Sequence, residues 1–132
     1  MKRFLILFSF LLIGIYTPSA YRPEIYILAE RPFNEYDALI KAIVAVESSG
    51  DTWALNVKEQ ATGAFQIRPV RIQHYNRLTS SNYKIWDCFD YELSRKIFLY
   101  FCKGRNYEQV AKSWNGSGYK TKLYWQKIKS KL

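Results

Sequence analysis

The chain has 132 residues, enough for one modest core and too few for two ordinary domains. Hydrophobic residues make up 48% and charged residues 23%, with only 6 Gly and 4 Pro, which excludes disordered, collagen-like and low-complexity classes. The net charge of +9 and the 17% aromatic share point to an anionic or flat-faced partner, such as nucleic acid, an acidic membrane surface or an acidic polysaccharide.

Lys2 and Arg3 precede an apolar run, residues 4–15, broken only by Ser9 and Gly14 and followed by Thr17-Pro18-Ser19-Ala20. This pattern predicts an export signal over residues 1–20 and a periplasmic or secreted product. The run falls short of the roughly 18 to 20 apolar residues a membrane-spanning helix needs, so no stable span is expected after cleavage. Removal of Lys2 and Arg3 takes the charge from +9 to +7. Residues 21–34, with Pro23 and Pro32, read as a lead-in to a domain over residues 35–132.

Asn34 followed by Asp37 predicts a cap for a first helix over residues 35–49, with Leu39, Ile40, Ile43, Val44 and Val46 on its apolar face and Gly50 as its stop. Residues 53–67 lose helical periodicity and carry the Thr62-Gly63 turn signal, so they read as short strands or an irregular hairpin. Pro69 opens a short second helix with Val70, Ile72, Tyr75 and Leu78. Asp87 or Asp90 caps a third, whose residues Leu93, Ile97, Phe98, Phe101 and Cys102 make it the expected centre of the core, ended by Gly104. Asn106 caps a fourth, with Tyr107, Val110, Ala111 and Trp114, which breaks at Asn115-Gly116-Ser117-Gly118. A final helix over residues 119–131 places Leu123, Tyr124, Ile128 and Leu132 on one side, with lysines around them. The expected fold is mainly α with a small strand-like insert after the first helix. Cys88 and Cys102 are 14 residues apart on or beside one helical segment, about 21 Å, too far for a disulfide, and with a lone His74 they give no zinc set.

Glu47 stands out. Seven residues after Ile40, it returns to within about 20° of the same helical direction and so extends the apolar stripe. It also lies in the last turn, where unpaired carbonyls disfavour an anion. Desolvation and the helix end both raise a carboxyl pKa. The sequence leaves open a solvated Glu at a frayed end, or one paired with a cation such as Lys41.

Glu47-Ser48 at a helix end, Gly63-Ala64-Phe65-Gln66-Ile67-Arg68-Pro69, Trp114-Asn115-Gly116 and the Thr121 to Tyr124 block occur in that order. Together they resemble the soluble lytic transglycosylase (SLT-like) domain of the lysozyme-like superfamily, enzymes that cleave peptidoglycan, over about residues 36–129. Phe65 stands where the family commonly has Met, and Trp114 with a Gly-Ser-Gly tail where Tyr-Asn-Ala-Gly is common; neither change touches the acid. The resemblance implies an α+β lysozyme-like fold and Glu47 as sole catalytic acid and base, forming a 1,6-anhydro sugar without consuming water. It implies substrate-binding roles for Ser48, Gln66, Asn115 and Tyr124, with the Tyr124 hydroxyl approaching the catalytic Glu. From the residues alone, Ser48 is equally a helix-end polar group, Gln66 a structural hydrogen bond within the insert, Asn115 a helix cap and Tyr124 part of an apolar stripe. A second carboxylate is not evident: Asp51 lies beyond the helix stop, Glu59 sits among polar residues of the insert, and Asp87 and Asp90 serve as caps. No cofactor is implied, and the expected partner of a monomer is a peptidoglycan glycan strand. A hydrolytic muramidase on the same fold and a non-catalytic basic glycan-binding module are the alternatives. Nucleic acid is disfavoured by the export signal and by the lack of any RNP-type, zinc or helix-turn-helix signature.

Overall fold

A computed structural model describes residues 33–132. The expected export signal over residues 1–20, and the lead-in as far as residue 32, lie outside the described residues. The described chain is mainly helical with a small strand insert after the first helix. In order it forms α1 (Asp37–Ser48), β1 (Leu55–Asn56), β2 (Ala61–Thr62), α2 (Pro69–Thr79), a 3-10 helix (Ile85–Phe89), α3 (Tyr91–Cys102), α4 (Tyr107–Asn115) and α5 (Lys120–Lys129). β1 and β2 pair antiparallel, with Leu55 opposite Thr62 and Asn56 opposite Ala61. Among the described residues no helix is long and apolar enough to cross a membrane.

Local chemistry sets the element ends. Asn34 and Asp37 act together ahead of the helix instead of capping it at residue 35: Asn34 Oδ1 accepts from the Tyr36 N–H and Asp37 Oδ2 from the Asn34 N–H, both at 2.9 Å. This closes a turn and delays α1 to Asp37. At its other end Ser49 takes the left-handed conformation (φ 55°), Gly50 follows at φ 90°, and the Gly50 N–H turns back to the Val44 carbonyl at 3.4 Å. The 3-10 helix is the element that apolar periodicity hides, because Phe89 runs on into the stripe of α3. Separate caps divide the two: Asp87 Oδ2 accepts from the Lys84 N–H and Asp90 Oδ1 from the Leu93 N–H, each at 2.7 Å. Asn106 and Gln109 form a reciprocal capping box at the start of α4.

The core is shared between α1 and α3 and is not centred on α3 alone. Leu39, Ile40, Ala42 and Ile43 are buried on α1, and Ser94, Ile97, Phe98 and Cys102 on α3. Phe98 lies between Phe65 of the insert (5.3 Å between ring centroids) and Trp114 of α4 (4.9 Å, edge-on). Burial of such a ring contributes roughly 1.5 to 3 kcal/mol. α5 packs on both α4 and α1, using Thr121, Tyr124 and Ile128. Leu123 and Leu132, expected on that face, are exposed, as are Val70 and Leu78 of α2. The face that packs follows positions 121, 124 and 128, and the leucines fall off it. The Tyr36 hydroxyl lies 2.8 Å from the Cys102 carbonyl and 2.9 Å from that of Arg105, tying the end of α3 to the start of α1. Cys88, on the 3-10 helix, and Cys102, at the end of α3, are free and buried, and burial pushes each thiol up to about 12.

Candidate active site

The insert continues past β2 into a four-residue tip, Gly63-Ala64-Phe65-Gln66, buried but for half-buried Gln66 and closed by paired backbone bonds between Thr62 and Ile67 at 2.9 and 3.0 Å. Both ends of the tip are left-handed, Gly63 at φ 76° and Gln66 at φ 47°. Gly63 is also where the insert touches the 3-10 helix so closely that a Cβ would lie 2.0 Å from the Cys88 carbonyl oxygen. Buried carbonyls must find donors. The Gly63 carbonyl accepts from the Gln66 N–H and Nε2, both at 3.0 Å, that of Ala64 from Ser48 Oγ at 2.9 Å, and that of Phe65 from Trp114 Nε1 at 3.2 Å. Two residues singled out by sequence, Ser48 and Trp114, thus hold the tip in place from α1 and α4.

Around this tip is a surface cavity of about 240 Å³ whose wall includes Glu47, Glu59, Gln66, Arg68, Arg71 and Asn115. Glu47, the penultimate residue of α1, is half-buried, and the Tyr124 hydroxyl of α5 donates to its Oε1 at 2.5 Å. Burial raises the Glu47 pKa from its ordinary value; the Tyr124 bond and then the Arg68 charge oppose that rise, and the Glu59 charge adds to it. Burial, and then the neighbouring carboxylate, push the Tyr124 phenol well up, so it remains a donor. The site therefore holds an acid with one oxygen fixed by a phenol and the other available to exchange a proton with a ligand.

Gln66 Nε2 donates to the Ala54 and Gly63 carbonyls at 3.2 and 3.0 Å, which makes it a brace of the insert. Its amide nitrogen is spent, and Oε1 is the group left for a ligand. Asn115 ends α4 on the cavity wall, while the helix is closed by the Gly116 N–H bonding to the Lys112 carbonyl, so the Asn115 amide is not needed as a cap. Tyr124 is at once part of the buried stripe of α5 and the partner of Glu47. Ser48 faces the Ala64 carbonyl and its own helix at Val44, not the cavity wall. Three of the five sequence-derived residues, Glu47, Gln66 and Asn115, line the cavity, while Tyr124 bonds Glu47 and Ser48 holds the tip.

Two cavity residues are not expected there from the sequence. Glu59, which looks remote on the insert, lines the cavity in an ion pair with Arg68 at 3.0 Å. Arg71, in the first turn of α2, lines it as well. A polar residue three positions after Arg68 on a helix start was the available signal for Arg71, and its spacing alone does not say which neighbour it meets. Among the described residues no three His, Cys, Asp or Glu side chains gather as a metal site.

Compared with models of protein families, with curated proteins and with solved structures, the chain finds no match in any of the three. The fold and cavity by themselves define a class: a small, mainly helical protein in which a half-buried carboxyl group meets a polar, arginine-lined surface cavity.

Proposed function

We propose that the protein is a peptidoglycan lytic transglycosylase of the SLT-like, lysozyme-like type, cleaving the β-1,4 bond between N-acetylmuramic acid and N-acetylglucosamine without water. The observation that carries this reading is Glu47, half-buried and bonded by Tyr124, with its pKa raised by burial on the wall of the cavity. A general acid must hold its proton near neutral pH and release it to a bound oxygen. In the proposed reaction Glu47 gives its proton to the glycosidic oxygen as the bond to C1 breaks, and the acetamido group of the muramic acid stabilises C1. Glu47, now a base, then takes the proton of the muramic 6-hydroxyl as its oxygen bonds to C1. The products are a free 4-hydroxyl and a 1,6-anhydro end, and the acid is regenerated. Gln66 Oε1 and the Asn115 amide are the groups proposed to bind the sugar, and Ser48 supports them by fixing the tip. The protein is proposed to act outside the cytoplasm as a monomer on a glycan strand, its basic charge aiding encounter with acidic murein.

One observation favours a second reading. Glu59 lines the same cavity, and a second carboxylate is what a hydrolytic muramidase uses, as nucleophile or to activate water. Mass spectrometry of fragments released from purified peptidoglycan separates the two. Products lighter by one water, with no label taken up from H₂¹⁸O, are expected. Labelled reducing ends overturn the transglycosylase in favour of the hydrolase. Absence of released fragments overturns both and leaves a glycan-binding module.

A further inference from the structure

Arg71 is half-buried at the start of α2, on the cavity wall that also carries Glu47, Gln66 and Asn115. Its guanidinium lies 4.7 Å from the centroid of Trp114 and 5.0 Å from that of Phe101, and Nη2 donates to the carbonyls of Ser113 (2.9 Å) and Trp114 (3.3 Å) at the end of α4. These contacts fix the plane of the group. A guanidinium has five N–H donors, and the three on Nη1 and Nε have no acceptor among the described residues. None of the ion pairs found among the described residues includes Arg71. Its charged neighbours are instead Arg68 and Arg105, both of like sign. Arg68 is compensated by Glu59 at 3.0 Å, while among the described residues Arg105 Nη1 reaches the Ser113 hydroxyl, at 3.3 Å, and no carboxylate.

A role as a brace for α4 accounts for Nη2 and for the two rings. It does not account for a half-buried cation with no ion-pair partner among the described residues, held rigid on a cavity wall with donors left over. Burial, and then repulsion from Arg68 and Arg105, pushes its pKa down, which reflects the same lack of compensation. An anion entering the cavity removes that cost, and a planar, weakly hydrated guanidinium is the side chain best suited to a carboxylate.

We propose that Arg71 anchors a carboxylate-binding subsite in this cavity, recognising an acidic substituent on the sugar beside the bond that Glu47 attacks. The proposal rests on the glycan-cleaving reading and adds a specificity to it. In peptidoglycan that carboxylate has two sources: the lactyl ether of the muramic acid, free once the stem peptide is removed, or the stem peptide itself.

The test compares kcat/KM on three polymers: strands bearing stem peptides, strands stripped of them, and stripped strands whose lactyl carboxyls are converted to methyl amides. Wild type is expected to prefer an acidic strand over the neutral one by about tenfold, the worth of one charge-assisted contact. A preference seen on stripped strands assigns the lactyl group, and one confined to peptide-bearing strands assigns the peptide. Arg71→Met is expected to bring the ratio close to one, and Arg71→Lys to restore part of it. The ratio is taken on one preparation, so partial unfolding of a variant cancels. Equal rates of wild type on acidic and neutral strands, or a preference that survives Arg71→Met, overturns the subsite. If no strand is cleaved, the glycan-cleaving reading fails, and NMR titration of Glu47→Gln with N-acetylmuramic acid and its methyl ester still decides the subsite. Tighter binding of the acid supports it, and equal binding of acid and ester overturns it.

Discussion

Glu47 and Glu59 line one cavity and are the same type of side chain, yet the two regions that carry them treat them in opposite ways. Glu47 is built into the helical part, between α1 and α5, where burial favours its protonated form and Tyr124 fixes one oxygen. Glu59 sits on the exposed turn between β1 and β2, its side chain 47% exposed and paired with Arg68, itself 46% exposed. The helices supply a desolvated acid, and the insert supplies charge that water still reaches. Environment, not residue type, thus separates a candidate proton donor from a surface ion pair.

The sharpest way to break this comparison is to exchange each carboxylate for its amide. Glu47→Gln is expected to lower the rate of glycan cleavage about 10²- to 10⁴-fold, the usual worth of a general acid. Glu59→Gln is expected to cost less than about tenfold if Glu47 acts alone; a loss as large as that of Glu47→Gln moves the mechanism to hydrolysis with two carboxylates. The same pair has a stability signature. Because the folded pKa of Glu47 is raised, the folded state keeps a proton that the unfolded chain loses as pH climbs from the ordinary Glu value toward the raised one, and stability falls there. Urea titrations should show that this fall disappears in Glu47→Gln and persists in Glu59→Gln.

The next largest effect concerns the insert alone. Gly63→Ala places a methyl group 2.0 Å from the Cys88 carbonyl at a backbone of φ 76°, so a loss of about 3 kcal/mol or more in denaturant unfolding is expected. A change below about 1 kcal/mol would mean that the tip is not held against the 3-10 helix.

Tyr124→Phe removes a bond that favours ionised Glu47, so the Glu47 pKa should rise further and the alkaline limb of the pH–rate profile should move to higher pH. A limb that stays in place would separate Tyr124 from the acid. The smallest effect belongs to the exposed pair: Arg68→Met is expected to change stability by no more than about 1 kcal/mol. It should nonetheless shift the same limb in the same direction, because the Arg68 charge also lowers the Glu47 pKa.

Much of the framework is legible in the residue order. Asn106 with Gln109 and Asp90 with Leu93 cap their helices because such contacts need only neighbours three residues away. Glu47 is recognisable as unusual because its place on the stripe after Ile40 is a matter of helical period alone. The pattern fails where period and packing diverge. Leu123 fits an apolar stripe but is exposed, and Phe89 continues the stripe of α3 but belongs to a separate 3-10 helix. Glu59 reads as an ordinary charge on a polar turn, since nothing near it in the chain reveals that the turn folds over the cavity.

By itself, then, the sequence determined a mainly helical chain with a short strand insert and marked one carboxyl group on an apolar face, since caps, stripes and turns depend on interactions within a few residues. The tertiary structure alone decided that Ser48 and Trp114 serve the carbonyls of the insert tip and that Glu59 and Arg71 share the cavity with the acid, and it gave the bond by which Tyr124, expected near the acid from the resemblance, reaches Glu47 across 77 positions. The reason is physical: a buried polar group takes whichever partner packing brings within about 3 Å, and that partner is fixed by how helices and insert settle on a common core, not by any local period.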